Sequence, residues 1–317
     1  MLPRVSRTFA LNIAVLHGTL RKAVSIAYLI CRIIDTIEDS SFLAAGKKKD
    51  LIGRFIRFLE QPPAAGEIKQ WVLENQDTTK ILFEDTLLRG SAKVIAAYRS
   101  LPLSYTMYML PSVKRMGRGM SFFLIKYQAG AEAHLHDITE LTRYCYYVAG
   151  TVGEIITQFF FIRIRDNRRC GAFFNTMHSF GYALQLTNIL KDTREDASRG
   201  WVYIPADCTS DGGDNLIKIT AVYLHHALVY TCRIPRHHFR LRLFCIIPLL
   251  LAAATLKKIS HTGKSIPDRN NSINNDKDSI KISRNTVKKI LLFSLFFWWS
   301  DFLLARRLNH FLRYCTV

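Results

Sequence analysis

The chain is short of acid, glycine, proline and patterned cysteine, and each shortage excludes a class of protein. Its 7 cysteines are odd in number and contain no CxxC pair. They encode neither a zinc ribbon nor a complete disulfide framework, and their place within apolar patterns reads as reduced and buried. With 16 glycines and 9 prolines in 317 residues, a collagen-like or low-complexity chain is excluded. No stretch alternates apolar and polar residues for long enough to build a sheet. Glycine-rich phosphate loops are missing as well: TGKS at 262–265 lacks the preceding glycine of a P-loop, and no Rossmann GxGxxG occurs. The opening stretch MLPRVSRTFALNIAVL is short, interrupted by Asn12 and without a small-residue cleavage site, so no cleaved signal peptide is expected.

Acid is the most telling shortage. Lys and Arg number 44 against 25 Asp and Glu, a formal charge of +19. That field attracts anions, which leaves nucleic acid, an anionic bilayer and phosphorylated small molecules as partners. The 49% hydrophobic content is ample for a buried core and excludes disorder.

What is present is helical nearly throughout. Leu20, Ala23, Val24, Ala27, Tyr28, Cys31 and Ile34 recur at helical spacing over 20–39. Further helices are expected at about 47–60, 67–88, 91–100 and 110–130, with Pro102 and Pro111 marking breaks, then at 139–162, 172–196, 215–231 and 237–256. The expectation is an all-α single domain over residues 1–289. Within it, 257–285 is polar, Asn-rich and basic and reads as a surface loop or flap, having too little apolar area to offset its ordering entropy. Residues 290–317 read as a hydrophobic C-terminal helix. Its core is interrupted by Asp301 and falls short of the roughly 18 continuous apolar residues of a spanning helix. Packing on the domain, lying in a membrane interface, with Trp298 and Trp299 at headgroup level and Arg306 and Arg307 on anionic lipid, and spanning the membrane over 290–308 are the alternatives.

The scarce acids are not scattered. DTIED at 35–39 and DTRED at 192–196 each end an apolar helical pattern. In each, the first and last Asp are four apart and so lie one turn apart on one helix face, with Glu38 or Glu195 beside them. The faces extend upstream: Tyr28, Arg32, Asp35 and Asp39 form one stripe, and Gln185, Asn188, Asp192 and Asp196 another. Mg²⁺ takes oxygen ligands and is often shared between carboxylates and substrate phosphates, so Asp35, Glu38, Asp39, Asp192, Glu195 and Asp196 are candidate metal ligands. The bland alternative makes each cluster a solvated helix terminus. Two copies, each continuous with a polar stripe, weigh against it, as does the unfavourable position of Asp at a helix C-terminus.

Over essentially its whole length the chain resembles the squalene/phytoene synthase family of head-to-head prenyl synthases. The segments SRTF at 6–9, YLICRIIDTIEDS at 28–40, YCYYVAGTVGE at 144–154, QLTNILKDTREDASRGWVYIP at 185–205 and FCIIPLLLAAATL at 244–256 stand in that family's order. The resemblance implies an all-α isoprenoid synthase fold with a central cavity, and Mg²⁺ held by the two aspartate motifs, each with one prenyl diphosphate. It implies that Ser6, Arg7, Arg32, Gln185, Asn188, Lys191, Arg199 and Tyr203 contact substrate, Lys191 standing where the family often has Arg. Tyr28, Tyr147 and Phe244 resemble cavity aromatics near the ionising carbons, and Tyr28 is also a candidate proton carrier. SRTF, DTIED, YCYYVAG and the KISR at 281–284 resemble squalene synthases most, in which a basic stretch helps bind NADPH; Lys281 and Arg284 are the candidates. Leu249, where many squalene synthases carry a polar residue, counts against the reductive step, and a phytoene or dehydrosqualene synthase without reduction is the alternative. The implied partners are prenyl diphosphates and a membrane surface on its cytoplasmic side, contacted peripherally or through the C-terminal segment. Neither nucleic acid nor an obligate protein partner is implied. A basic membrane-surface binder without activity accounts for the charge but leaves both acid stripes unexplained.

Overall fold

The computed structural model describes residues 7–75, 83–128, 133–164, 173, 176–198, 201–208, 213–261 and 280–315, with the side chains of 7–8, 83–85, 128 and 133 left aside. Ser6, Arg199 and most of the 257–285 segment therefore lie outside the described residues, and of Arg7 only its place in a helix is described. The all-α expectation holds: among the described residues the only strand pairing is a two-residue parallel bridge, β1 Ala133–His134 on β2 Trp201–Val202.

Two compact units are distinguished, residues 1–129 with 158–165 and residues 130–157 with 166–317. The first is built from α1 (Arg7–Ala14), α2 (Gly18–Glu38), α3 (Ala45–Glu60), α4 (Glu67–Glu74), α5 (Phe83–Arg89), α6 (Ser91–Arg99) and α7 (Leu103–Gln128). α2 is its centre, packing on α6 and α7 with Ala23, Ile30, Ile33 and Ile34 fully enclosed. Trp71 closes the core at α3, stacking on Phe55 at 5.4 Å and donating its indole N–H to the Leu51 carbonyl at 2.9 Å, so its polar tip is satisfied where its ring is buried. The break expected at Pro111 does not occur: α7 runs through it. The carbonyl that a proline frees lies four residues back, at Met107, an exposed residue, so the break falls on the solvent side of the helix, where an unmade backbone bond costs least.

The second unit contains α8 (Ile138–Cys145), a π-helical turn (Tyr146–Gly150), the part of α9 (Thr151–Ile164) up to Thr157, α10 (Met177–Ser198), α11 (Asp214–Arg233), α12 (Phe239–His261), α13 (Arg284–Phe297) and α14 (Asp301–Leu312). α10 packs against the π turn, α11 and α12. Three glycines make this approach possible. A Cβ at Gly153 would stand 2.4 Å from the Met177 carbonyl oxygen, and one at Gly181 2.5 Å from that of Ala149. At Gly150 it would meet the Tyr146 and Tyr182 rings at 3.0 and 3.2 Å.

The C-terminal segment departs from the single helix expected over 290–317. It forms a pair, because Ser300 caps a new helix through its hydroxyl to the Leu303 N–H at 3.3 Å and Asp301 is held by Arg242. The Arg242 side chain is fully buried and also donates to the carbonyls of Trp298 at 2.8 Å, Ile234 at 3.0 Å and Cys232 at 3.3 Å. One guanidinium thus ties the ends of α11 and α13 to the start of α14. The stretches Ile138–Ile164 and Phe239–His261 are long and apolar enough to cross a membrane, the second with 72% of its most apolar window buried within the protein.

Candidate functional site

The first acid stripe forms at the C-terminal end of α2. Around it every apolar position is buried, from Leu29 and Ile30 to Ile37, whereas Tyr28, Arg32 and Asp35 are half-buried and Asp39 is exposed. The stripe read from spacing is therefore the open face of a helix otherwise enclosed. Arg32 lies 3.9 Å from the Asp35 carboxylate and 4.0 Å from that of Asp39, too far for short hydrogen bonds to either. Tyr28 stacks on Phe9 of α1 at 5.5 Å, which brings that ring beside the stripe. Burial pushes the Asp35 carboxyl up to about 7; Asp39 adds to the rise and Arg32 opposes it. A second positive charge at this point would relieve the crowding of the two carboxylates.

Glu38 is placed differently from its neighbours. Its side chain is only 6% exposed, on the flank turned toward α3, where the Lys48 ammonium donates to the Glu38 carbonyl at 2.6 Å. Burial, then Asp39 and Asp35, drives its carboxyl well above the ordinary range against the pull of Lys48. The open face thus carries Asp35 and Asp39, while Glu38 is enclosed on the flank beside them.

The second stripe runs down α10. Gln185, Asp192 and Asp196 are half-buried, and Asn188 and Glu195 exposed. Lys191 pairs with Asp192 at 3.0 Å, so among the described groups its charge goes to the aspartate beside it. Tyr203, just beyond β2, stacks on Tyr144 of α8 at 5.0 Å and on Trp201 at 5.8 Å. Tyr147 lies in the π turn, half-buried and 5.3 Å from the Tyr146 ring. The π geometry is explicit in the Thr151 N–H, which reaches back five residues to the Tyr146 carbonyl. Such turns widen a helix by one residue and often occur at functional sites. Phe244 is half-buried on α12. Lys281 and Arg284 are exposed at the N-terminus of α13, where the Ser283 hydroxyl caps the Thr286 N–H at 3.1 Å.

One cluster in this unit has no counterpart in the sequence reading. The Glu154 carboxylate accepts from the Tyr146 hydroxyl at 3.1 Å and lies 3.0 Å from His178 Nε2, linking the π turn to the head of α10. The available signal was an acid inside the apolar run 139–162, where an unpartnered carboxylate would be costly.

Among the described residues no three His, Cys, Asp or Glu side chains converge as a metal cage. Each stripe presents two carboxylates one turn apart, a donor set that fits Mg²⁺ whose remaining ligands are diphosphate and water oxygens.

The squalene/phytoene synthase family profile matches residues 2–215. Human squalene synthase is 30% identical over 273 residues, covering 80% of this chain and 61% of that protein. Squalene synthase of Eremothecium gossypii is 29% identical over 279 residues, covering 81% of this chain and 60% of that protein. The chain thus spans about three fifths of the length of these curated relatives. A solved structure of TcSQS in complex with a ligand superposes with a TM-score of 0.72 at 22% identity, covering 99% of this chain and 95% of that one. A dehydrosqualene synthase complex gives 0.59 at 17%, with 92% of each covered. Both establish a shared all-α fold. With its two aspartate stripes and the profile match across two thirds of its length, the chain belongs to the squalene/phytoene synthase family.

Proposed function

We propose that this chain is a Mg²⁺-dependent head-to-head prenyl synthase that joins two farnesyl diphosphates into presqualene diphosphate and reduces that with NADPH to squalene. The observation that carries the reading is the pair of stripes, each an open row of polar side chains ending in two aspartates one turn apart on an otherwise enclosed helix. Bound Mg²⁺ supplies the positive charge that makes diphosphate a competent leaving group. In the same reading Asp35, Asp39, Asp192 and Asp196 are its ligands, with exposed Glu195 at the margin of the second set. Arg32 and Lys191 exchange their carboxylate partners for diphosphate oxygens as substrate arrives, Arg32 with the bidentate geometry a guanidinium allows. Ser6, Arg7, Gln185, Asn188, Arg199 and Tyr203 complete the substrate contacts. The ring faces of Tyr28, Tyr147 and Phe244 stabilise cationic charge on the prenyl chain, and Tyr28 carries the proton lost on cyclopropane closure. Lys281 and Arg284 hold the phosphates of NADPH, which supplies the hydride when bound. The apolar surroundings keep water from trapping the cations as alcohols.

A second reading, phytoene or dehydrosqualene synthase without reduction, rests on Leu249, buried one residue after Pro248 on α12. Incubation with radiolabelled C15 and C20 diphosphates and Mg²⁺, with and without NADPH, separates the two. A C30 hydrocarbon that becomes squalene only with NADPH is expected. Dehydrosqualene or phytoene regardless of NADPH establishes the second reading, and no incorporation of either label overturns both.

The catalytic region in this proposal is residues 1–289, and residues 290–317 give contact with a membrane on its cytoplasmic side. Supporting this, Leu292, Leu295, Phe296 and Trp299 recur at helical spacing on one exposed face, continued by Phe302. Exposed Arg284, Lys288, Lys289 and Arg306 flank it. That is the composition of an interfacial helix pair on anionic lipid.

A further inference from the structure

A glycine inside a helix costs about 1 kcal/mol against alanine and calls for a reason. In the first unit α3 and α7 each carry one where they pack together. Gly117 has the usual explanation: a Cβ there would stand 2.4 Å from Ile56 Cδ1 and 3.0 Å from Ile52 Cγ2, so its absence lets the helices close. Gly53 has none, because a Cβ there would meet nothing within 4 Å. What the missing side chain leaves is space. Gly53 and Gly117 line a groove of about 790 Å³ whose floor is Ile52 and Ile56 and whose far wall is Phe122 and Ile125. Phe122 and Ile125 are 47% and 41% exposed, large apolar side chains left open to water. The positions at the groove repeat as 49, 52, 53, 56 on α3 and 118, 121, 122, 125 on α7, one face of each helix. Its charged members are Lys49, Arg118 and Lys126, all exposed, and none is acidic.

We propose that this groove binds a single-chain amphiphile with an anionic head, of the long-chain fatty-acid class. The chain lies along Ile52, Ile56 and Ile125 with Phe122 over it, and the head pairs with the cations of the rim. Its volume is in the range of small-molecule sites, and a rim of one sign selects the charge of the head. The site lies wholly within the first unit and uses none of the residues assigned to diphosphate chemistry.

The test is a fluorescence titration of the full chain with dansyl-undecanoic acid and with a dansyl alkylammonium of equal length. The acid is expected to bind saturably and the ammonium at least tenfold more weakly. Gly53→Leu projects into the groove from a position where a Cβ meets nothing within 4 Å and replaces a poor helix former with a good one; it should keep its circular dichroism spectrum and weaken the acid at least tenfold. Lys49→Glu with Arg118→Glu, two surface changes, should weaken it similarly and decides the matter if Gly53→Leu fails to fold. Equal binding of acid and ammonium, or unaltered acid binding in these variants, overturns the proposal. It is likewise overturned if the variants lose capture by phosphatidylglycerol vesicles but still bind the monomeric probe, since the groove is then a bilayer contact.

Discussion

Asp35 and Asp39 show how little a residue's own chemistry says without its neighbours. Both end α2, yet Glu38 between them is enclosed while they stay open, a difference of one helical step. In the proposed reaction Asp35→Asn or Asp192→Asn removes a metal ligand from a site that acts on the leaving group. Turnover at saturating substrate should fall by on the order of a hundredfold or more, with an unchanged circular dichroism spectrum; near-normal kcat in both would remove the metal role. Glu154 serves two donors at once, the Tyr146 hydroxyl and His178. Replacing it with Leu leaves both without this acceptor, and a loss of about 1–3 kcal/mol in urea unfolding is expected, whereas Glu154→Gln, which keeps an acceptor oxygen, should lose less.

At the scale of elements, the glycines divide by what a Cβ would meet. Gly181→Ala drives a methyl toward the Ala149 backbone oxygen, with 2.5 Å between them. Backbone cannot swing aside as a side chain can, so α10 and the π turn must separate, at about 1–3 kcal/mol. Gly53→Ala enters open space and should stabilise by up to about 1 kcal/mol; paired thermal melts of the two variants check the opposite signs. The joint at α13 and α14 has a pH dependence of its own. Burial raises the Asp301 carboxyl, but hydrogen bonds from Arg242 and Arg236, with the Arg242 charge, outweigh it and hold the group below its ordinary value. A carboxyl with a depressed folded-state pKa contributes stability above its unfolded value, near 3.9, and that contribution is lost as pH falls through the folded value. Asp301→Asn should therefore flatten the acid limb of the stability profile. Arg242→Ala should cost about 3 kcal/mol at neutral pH, since it takes a buried donor from the carbonyls of Trp298, Ile234 and Cys232 as well as from half-exposed Asp301.

For the molecule as a whole, the charge of +19 predicts binding to anionic surfaces that weakens with salt as the Debye length shrinks below about 10 Å. If the α13 and α14 pair is the contact, Phe296→Ser, Trp299→Ser and Phe302→Ser together should abolish cosedimentation with phosphatidylglycerol vesicles at moderate salt. Retained, salt-sensitive binding would assign the contact to charge elsewhere on the surface.

The sequence alone determined that the chain is helical, which faces of α2 and α10 are polar, and to which family it belongs, because these follow from spacing along one helix and from local motifs. It did not determine that α7 passes through Pro111, that the C-terminal segment folds as two helices, or that Glu38 is enclosed. Nor did it reveal the Glu154 cluster or the groove beside Gly53. Each of these depends on surroundings that spacing does not record: the exposure of α7 one turn before Pro111, a buried guanidinium at position 242, a lysine on α3, a tyrosine and a histidine 8 residues upstream and 24 downstream of one acid. Periodicity records only which side of a helix is apolar. The identity of the atoms across the gap is decided by packing.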